Sequence, residues 1–337
     1  MGVDFAFFKG SQNGEVVEAV GTRDLGPTHV TVKITHCGVC GTDEHYRHAD
    51  QGLGHEGIGI ITDIGSSVHD QSEFRVGDRV GMGWFHKFCG YCKYCVTGRQ
   101  TLCIHRTSFG SADQDQGCFG TAVTWDISAL YKVPDAIASE DAGPLMCGGA
   151  TVWSPLYDFG AKLGDRVGII GVGGLGHMAI QFASKMGYEV VVFSGTESKR
   201  QEALSFGASE FHAIKDKESW NSIAKLDILI ITTSFNPNLS QGFRYYPILA
   251  HGAKIFPLTI SPEKLDVSPL NLIGAQFQLI GSGVADTANM RAMLQFAAKH
   301  GIKPQIEKFP MTLRGVKDAM QKLRDGKMRY RGVLVAP

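Results

Sequence analysis

Residues 166–195, RVGIIGVGGLGHMAIQFASKMGYEVVVFSG, decide the fold of the second half of this 337-residue chain. The stretch runs from an apolar strand through a glycine turn into an amphipathic helix and a second apolar strand, which is the pattern of a βαβ unit. Further apolar strands at 226–232, 253–256 and 278–280 alternate with helical stretches. Continuously apolar strands separated by helices predict a doubly wound parallel sheet covered on both faces, hence an α/β domain.

The glycine turn in this stretch has the spacing G-x-G-x-x-G and is formed by Gly171, Gly173, Gly174, Leu175 and Gly176. Because it follows a strand and opens a helix, it predicts a dinucleotide site, with Gly171 making the tight turn and Gly173 admitting the pyrophosphate. Gly176 would allow close packing of helix on strand, and the helix N-terminus would face the phosphates. The alternative is a βα turn that is merely rich in glycine.

The end of the second strand indicates which dinucleotide binds. An NAD site has an acidic residue there, but this chain has Ser194, followed by Lys199 and Arg200. The missing carboxylate and the added cations favour the 2′-phosphate of NADP(H). Glu197 would reverse that preference if it pointed inward, and one of the two cations could simply lie in a solvated helical turn.

The first half of the chain has a different pattern of apolar residues and glycines. Short alternating strands are predicted at 29–36, 57–64 and 76–80, broken by glycine, which indicates a β-rich, barrel-like domain. Near the C-terminus, residues 287–300 predict an amphipathic helix.

Composition limits the functional classes. Lys+Arg and Asp+Glu both number 33, so the formal charge is zero, which argues against a nucleic-acid or anionic-membrane surface. No apolar run approaches the ~20 residues that span a bilayer. The N-terminal segment does not have the pattern of a secretory signal, so we expect a cytoplasmic protein whose eight cysteines stay reduced.

Half of these cysteines lie in one lobe. Cys89, Cys92, Cys95 and Cys103 have the spacing C-x2-C-x2-C-x7-C. Four thiolates at this spacing predict a closed, structural Zn²⁺ site that holds a lobe too small to have its own core. The alternatives are free thiols or an iron–sulfur cluster.

A second group is spread along the chain. Cys40, His55 and Cys147 each lie beside glycine, and two cysteines with one histidine form a catalytic zinc shell with an open fourth position. Taken singly, a cysteine of this kind is more often a buried small apolar side chain, and a histidine more often a hydrogen-bonded core residue, than a metal ligand. Cys37 and Cys118 are assigned to packing.

The motifs GVCGTD, GHEG, the four-cysteine lobe, LMCGGATVWSPL and GVGGLG occur in this order and cover nearly the whole chain. In this combination the chain resembles the zinc-dependent medium-chain dehydrogenase/reductase superfamily. The segments LMCGGATVWSPL, SKRQEAL and RYRGVLV are most similar to its cinnamyl-alcohol-dehydrogenase-like branch, whose members are mostly NADP(H)-linked aldehyde reductases.

The resemblance implies a GroES-like catalytic domain at 1–151 with the zinc lobe at 86–106, a Rossmann coenzyme domain at 152–282, and a segment at 283–337 that returns to the catalytic domain. It implies two zinc ions per chain, a small aldehyde or alcohol substrate, and a homodimer joined through edge strands of the coenzyme domains.

The resemblance also implies roles for individual residues. Cys40, His55 and Cys147 match the catalytic zinc ligands, and Glu56 matches an acid beside the metal. Asp43 matches the carboxylate that orients the ligand histidine. Thr42 matches the hydroxyl that contacts the substrate oxygen, and His45 matches the end of a proton relay. The 2′-phosphate pocket is matched by Ser194, Thr196 and Lys199.

Two departures concern specificity. His55 follows Cys40 by only fifteen positions, and Leu53-Gly54 stands where the family usually has a proline before GHE. Gly195 occupies a place where some relatives carry arginine. Trp84, Phe85 and Trp125 are interpreted either as an apolar substrate wall or as ordinary core aromatics.

The predicted chemistry is hydride transfer from NADP(H) to a zinc-polarised carbonyl. Two enzymatic alternatives stay open on the same fold: an NAD-linked polyol or short-chain alcohol dehydrogenase, and a reductase of C=C or C=N bonds. A zinc-ribbon module that binds nucleic acid is the alternative outside enzymes, and the neutral charge disfavours it.

Overall fold

A computed structural model describes residues 2–160, 162–214, 220, 222–234, 239–240, 242–261 and 264–337. The chain divides into two compact units: Met1–Ala150 together with Val284–Pro337, and Thr151–Gly283. No helix in the described part of the chain is long and apolar enough to cross a bilayer.

The strands among the described residues are, in chain order, β1 Gly2–Lys9, β2 Val17–Asp24, β3 His29–Val39, β4 Gly57–Ile64, β5 Arg79–Met82, β6 Phe85–Lys87, β7 Thr107–Ser108, β8 Ala122–Asp126, β9 Leu130–Lys132, β10 Arg166–Ile170, β11 Glu189–Ser194, β12 Glu210–Ala213, β13 Leu226–Ile231, β14 Leu249–Pro257, β15 Gln278–Leu279, β16 Ile306–Pro310 and β17 Arg331–Val335.

The α-helices are α1 Gly41–His45, α2 Val68–Gln71, α3 Lys93–Val96, α4 Ser139–Pro144, α5 Ala150–Tyr157, α6 Gly176–Lys185, α7 Arg200–Ser205, α8 Pro269–Ala275, α9 Thr287–His300 and α10 Leu313–Arg324. Single 3₁₀ turns lie at Gln100–Leu102, Ile127–Ala129, Glu197–Lys199 and Tyr246–Ile248, and a π-helical turn at Leu145–Gly149 joins α4 to α5.

The first unit is built on a seven-stranded sheet in which β3 is the central strand. The order is β16-β17-β3-β4-β5-β9, and β8 also pairs with β3. Alternating residues of β3, such as Val30, Val32 and Ile34, are fully buried, which is why this strand organises the core. The C-terminal strands β16 and β17 join the same sheet, which is the GroES-like arrangement.

The predicted strand at 76–80 is wrong in its position. Gly77 has a φ of +93°, and the amide of Asp78 donates to the carbonyl of Arg75, so residues 75–78 form a turn. The strand β5 begins only at Arg79. The predicted strand at 57–64 and the predicted helix at 287–300 have the observed bounds.

The second unit is a six-stranded parallel sheet with the order β12-β11-β10-β13-β14-β15. Numbered from its own first strand, this order is 3-2-1-4-5-6, the doubly wound arrangement that binds ligands where the order reverses. Val191, Leu229 and Ile255 are fully buried from three different strands, as the continuously apolar sequence predicts. The fold class is therefore confirmed.

Candidate functional site

Cys40, His55, Glu56 and Cys147 meet in the first unit. One ligand atom from each lies within 4.8 Å of every other. The antiparallel pairing of β3 with β4 places Cys37 opposite Gly57, so the residues after β3 and before β4 are neighbours. The π-helical turn at Leu145–Gly149 brings Cys147 to the same point.

The histidine of this cluster is prepared to bind a metal. Nδ1 of His55 lies 3.0 Å from Oδ1 of Asp43, so Nδ1 donates to this carboxylate and Nε2 is the nitrogen left to bind a metal. Nε2 is buried and has no hydrogen-bond partner among the described residues. A buried acceptor without a partner is costly, and a metal ion at the cluster would satisfy it.

Asp43 is itself fixed by the backbone. Its two carboxylate oxygens accept hydrogen bonds from the amides of Cys40 at 2.9 Å and Gly54 at 3.0 Å, and the side chain is fully buried. The carboxylate therefore joins the loops that carry the first two members of the cluster. Because the imidazole orientation depends on this carboxylate, Asp43 sets the direction of Nε2.

The two thiols of the cluster shift each other's pKa in opposite directions. A hydrogen bond with Cys147 lowers the pKa of Cys40 well below its ordinary value, and the same contact raises the pKa of Cys147. Burial lowers the pKa of His55, but Asp43 and Cys40 outweigh burial and raise it. A divalent cation would displace these protons and bind both sulfurs as thiolates.

Glu56 forms a buried ion pair with Arg331, whose Nη2 donates to Oε1. Oε2 of Glu56 is buried without a partner in the described structure and lies beside Gly38, where any Cβ would clash with it. Arg331 was not among the residues expected at the site, although an arginine at the start of the apolar strand RGVLV was a visible signal. Burial raises the pKa of Glu56 to about 7, even though Arg331 opposes this shift.

Thr42 and His45 both lie on α1, directly after Cys40. Thr42 is buried and its Oγ1 lies 3.7 Å from Sγ of Cys40, whereas His45 is exposed. Thr42 and His45 are three positions apart on α1, the spacing at which residues of a helix are neighbours.

The four-cysteine lobe forms a second cluster. The ligand atoms of Cys89, Cys92, Cys95 and Cys103 lie within 4.8 Å of one another. Sγ of Cys89 is 3.9 Å from that of Cys95 and 3.5 Å from that of Cys103. Four sulfurs fill a tetrahedral shell, so this cluster fits a structural metal without an open position.

The remaining two cysteines are in the core. Cys37 and Cys118 are fully buried, and the pKa of Cys37 is raised by burial. Both therefore pack as small apolar side chains, as the sequence analysis assigned.

The aromatic residues proposed as a substrate wall have different positions. Trp125 is 2% exposed and donates from its indole to the carbonyl of Ala129, so it belongs to the core and not to a wall. Phe85 is also buried, against Phe88. The ring of Trp84 lies 5.7 Å from that of His55.

Phe109 is an aromatic residue that the sequence analysis did not single out. Its ring lies 4.8 Å from His55 and 5.6 Å from Trp84. The aromatic surroundings of the cluster are therefore formed by Trp84 and Phe109.

In the second unit, the glycine loop fits a dinucleotide. Gly171 has a φ of +99°, which favours glycine, and a Cβ on Gly176 would clash with the carbonyl oxygen of Gly171. A Cβ on Gly173 would meet no atom within 4 Å, so the backbone there is open to a ligand. Gly174 and Leu175 complete the turn, and α6 begins at Gly176.

The predicted phosphate-binding residues lie at the end of β11 and in the turn that follows it. Ser194 is buried at the strand end, Thr196 donates to or accepts from Ser198 at 2.9 Å, and Lys199 lies on the following 3₁₀ turn. Glu197 forms an exposed ion pair with Arg200, so its carboxylate is engaged by that guanidinium.

Comparison with known proteins agrees with both units. Residues 26–135 match the family "Alcohol dehydrogenase GroES-like domain" and residues 174–299 match "Zinc-binding dehydrogenase". An NADP-dependent alcohol dehydrogenase C of Mycolicibacterium smegmatis is 31% identical over 327 residues, covering 93% of this chain and 91% of the relative. An aldehyde reductase of Synechocystis is 34% identical over 322 residues, covering 92% of each protein.

Among solved structures, a cinnamyl alcohol dehydrogenase of Sorghum bicolor has a TM-score of 0.89 and 28% identity, covering 99% of this chain and 98% of the other. Similarity over almost the whole length, at more than 30% identity to the curated relatives, establishes the family. This chain belongs to the zinc-dependent medium-chain dehydrogenase/reductase superfamily, in its cinnamyl-alcohol-dehydrogenase-like branch.

Proposed function

We propose that this protein is a zinc-dependent alcohol dehydrogenase or aldehyde reductase that transfers hydride between NADP(H) and an aldehyde/alcohol pair. The observation that carries the proposal is the cluster of Cys40, His55 and Cys147, in which Nε2 of His55 is buried without a hydrogen-bond partner among the described residues. Two sulfurs and one imidazole leave a fourth position for a substrate oxygen.

Cys40, His55 and Cys147 would hold the catalytic zinc, and Cys89, Cys92, Cys95 and Cys103 the structural zinc. When bound, the catalytic zinc supplies a Lewis acid that polarises a carbonyl, and NADPH supplies the hydride.

The protein's own residues position and protonate the substrate. Asp43 keeps the proton on Nδ1 of His55 and thereby keeps Nε2 available. Thr42, buried beside Cys40, can donate its hydroxyl proton to the substrate oxygen, and the exposed His45 on the same helix can return a proton from solvent. Trp84 and Phe109 exclude water from the side of His55 that they cover.

Glu56 balances charge beside the cluster. Its pairing with Arg331 keeps one carboxylate oxygen engaged and leaves Oε2 free near the two cysteines. Glu56 thus serves as an additional oxygen donor that the cluster can use when a ligand leaves.

NADP(H) is supported by the acid-free strand end at Ser194 and by the neighbouring Thr196 and Lys199. The engagement of Glu197 by Arg200 supports the same choice. The Mycolicibacterium relative is described as NADP-dependent and the Synechocystis relative as an aldehyde reductase. An aryl or allylic aldehyde is the substrate class that we propose, because aromatic rings flank His55.

We also propose a homodimer in the cytoplasm. The helix α8 exposes Leu270 and Ile273, at 68% and 76%, next to the edge strand β15, and this apolar edge would be covered by a second copy. A reducing compartment would keep the six zinc-binding cysteines as thiols that can bind metal.

The proposed function is tested by purifying the protein, quantifying zinc per chain and measuring oxidation of NADPH and NADH with aromatic, allylic and aliphatic aldehydes. We expect two zinc ions per chain and turnover with NADPH and aldehydes. A single zinc confined to the four-cysteine lobe, or no turnover with any aldehyde by a protein that carries two, would contradict it.

A further inference from the structure

A cavity of about 420 Å³ opens at the carboxyl ends of β10, β11 and β12, entirely within the second unit. Gly171, Phe193, Gly195, Ile214 and Arg244 are among the residues that line it. Ligands of doubly wound sheets bind at this end of the strands, next to the glycine loop. Arg244 is a cation in this cavity that neither the sequence motifs nor the family resemblance assigned.

Arg244 is an exposed side chain that contacts Trp220 and the segment after β12. Its Cζ lies 5.8 Å from the ring centroid of Trp220, and its Nη1 donates to the carbonyl of Ile214 at 3.3 Å. Trp220 stacks on Phe193 with ring centroids 5.1 Å apart. These two contacts place the exposed guanidinium near the carboxyl ends of β11 and β12, where an anion can reach it.

The charge of Arg244 is not neutralised by the described part of the chain, where no carboxylate lies within ion-pair distance of it. Arg200, by contrast, is engaged by Glu197. Gly195, directly after Ser194 in the chain, leaves open space, since a Cβ there would meet no atom within 4 Å. Both Gly195 and Arg244 line the same cavity, so an anionic group can lie between them.

We propose that Arg244 is a specificity-determining residue that binds the 2′-phosphate of NADP(H). Arg244 lies in the segment after β13. It supplies a positive charge that position 195, a glycine in this chain, does not provide. This inference rests on the proposed NADP(H) dependence, and it adds a residue to that site. A guanidinium and a phosphate form paired, charge-assisted hydrogen bonds, which NAD(H) cannot make because it lacks the phosphate.

The test is calorimetric measurement of the Kd of NADPH and of NADH for the zinc-loaded wild type, Arg244→Ala, Arg244→Lys and Arg244→Gln. Arg314→Ala is the matched control, because Arg314 is 93% exposed on α10 in the other unit. We expect Arg244→Ala to weaken NADPH about tenfold or more and to leave NADH within about twofold. Arg244→Lys should be intermediate, and Arg314→Ala should match the wild type.

An unchanged Kd for NADPH in Arg244→Ala overturns the inference while leaving the proposed function intact, provided that the wild type prefers NADPH. An equal loss for both nucleotides also overturns it, because Arg244 would then support the adenine or the fold. If the alanine variant is insoluble, Arg244→Gln is judged by the same criteria. A wild type that prefers NADH contradicts both the inference and the NADP(H) proposal.

Discussion

Nδ1 of His55 lies 3.0 Å from Oδ1 of Asp43, and neither side chain is exposed to solvent. This single contact fixes the tautomer of the imidazole and directs Nε2 to the sulfurs of Cys40 and Cys147. The affinity of the cluster for metal should therefore depend on a residue that is not itself a ligand.

Asp43→Asn should weaken binding of the second zinc by about 10–100-fold, because an amide cannot hold the imidazole as a charged acceptor does. Competition with a chelator, followed as zinc released per chain, measures this. Asp63→Asn, at an exposed position on β4, is the control and should release zinc like the wild type. Equal zinc affinity in Asp43→Asn and the wild type would show that Asp43 does not orient His55.

The cluster around His55 should be needed for turnover, whereas the four-cysteine cluster should be needed for folding. Cys40→Ser should reduce turnover by about 10³-fold or more, since a Lewis acid contributes several kcal/mol and each 1.36 kcal/mol is tenfold. Cys103→Ser should instead lower Tm and yield, because Cys103 is fully buried in a lobe whose sulfurs hold it together. Kinetics and thermal unfolding are measured on both variants. A Cys103→Ser protein as stable as the wild type would argue against a structural zinc.

Substitutions at two glycines of the dinucleotide loop should affect different properties, namely the binding of NADPH and the stability of the fold. Gly173→Ala should leave stability nearly unchanged, because its Cβ meets no atom within 4 Å, but it should weaken NADPH binding by at least about tenfold. Gly176→Ala should lower the free energy of unfolding by about 1–3 kcal/mol, because its Cβ clashes with the carbonyl of Gly171. Chemical denaturation and coenzyme titration distinguish them, and the reverse ranking of stability would contradict the geometry.

Stability should fall in acid through the hydrogen-bonded residues His86, Asp113 and Arg23, which are not metal ligands. Burial raises the pKa of Asp113, but hydrogen bonds from His86 and Arg23 outweigh burial and hold that pKa below its ordinary value. Burial lowers the pKa of His86, and Asp113 opposes this shift only in part. Both groups bind protons more weakly when folded than when unfolded, so acid favours unfolding. The loss should begin below about pH 6.5 for His86 and below about pH 4 for Asp113.

The acid dependence is isolated with Asp113→Asn. This variant should be less stable than the wild type by about 1–3 kcal/mol at pH 7, where a charged hydrogen-bond acceptor is lost. The difference should shrink as pH falls below about 4, because protonation removes the same acceptor from the wild type. Denaturation curves at several pH values measure both effects. A difference independent of pH would mean that the Asp113 carboxylate is not the titrating group.

The oligomeric state should depend on α8. Ile273→Asp should convert a dimer to monomers, because Ile273 is 76% exposed beside the edge strand β15 and a buried unpaired carboxylate is costly. Light scattering after size-exclusion chromatography gives the mass. Ile104→Asp, at an apolar residue of similar exposure (71%) in the four-cysteine lobe, is the matched control and should stay dimeric. A monomeric wild type would contradict the proposed homodimer.

Features that depend on residues only a few positions apart could be predicted from the sequence. The glycine loop at 171–176 and the four-cysteine lobe have their geometry set by residues a few positions apart, and apolar periodicity located the helix at 287–300. The strand predicted at 76–80 failed because Gly77 takes a positive φ, and alternating apolar residues do not reveal a turn of this kind.

The family motifs suggested which remote residues meet. The spacing of these residues along the chain could not establish that they do. Spacing alone left Cys40, His55 and Cys147 readable as buried packing residues, and it gave no sign that Arg331 reaches Glu56, 275 positions away. The sequence spacing also did not reveal that Trp125 packs in the core whereas Trp84 lies beside His55.

The sequence by itself therefore determined the doubly wound unit, the β-rich unit and the two local motifs, because periodicity and short spacing act through neighbouring backbone. Only the tertiary structure decided which distant side chains meet. The register of β3 against β4, the π-helical turn that carries Cys147 and the return of β17 to the sheet are set by packing of the whole unit. Such packing depends on contacts between residues far apart in the chain, and no local pattern records them.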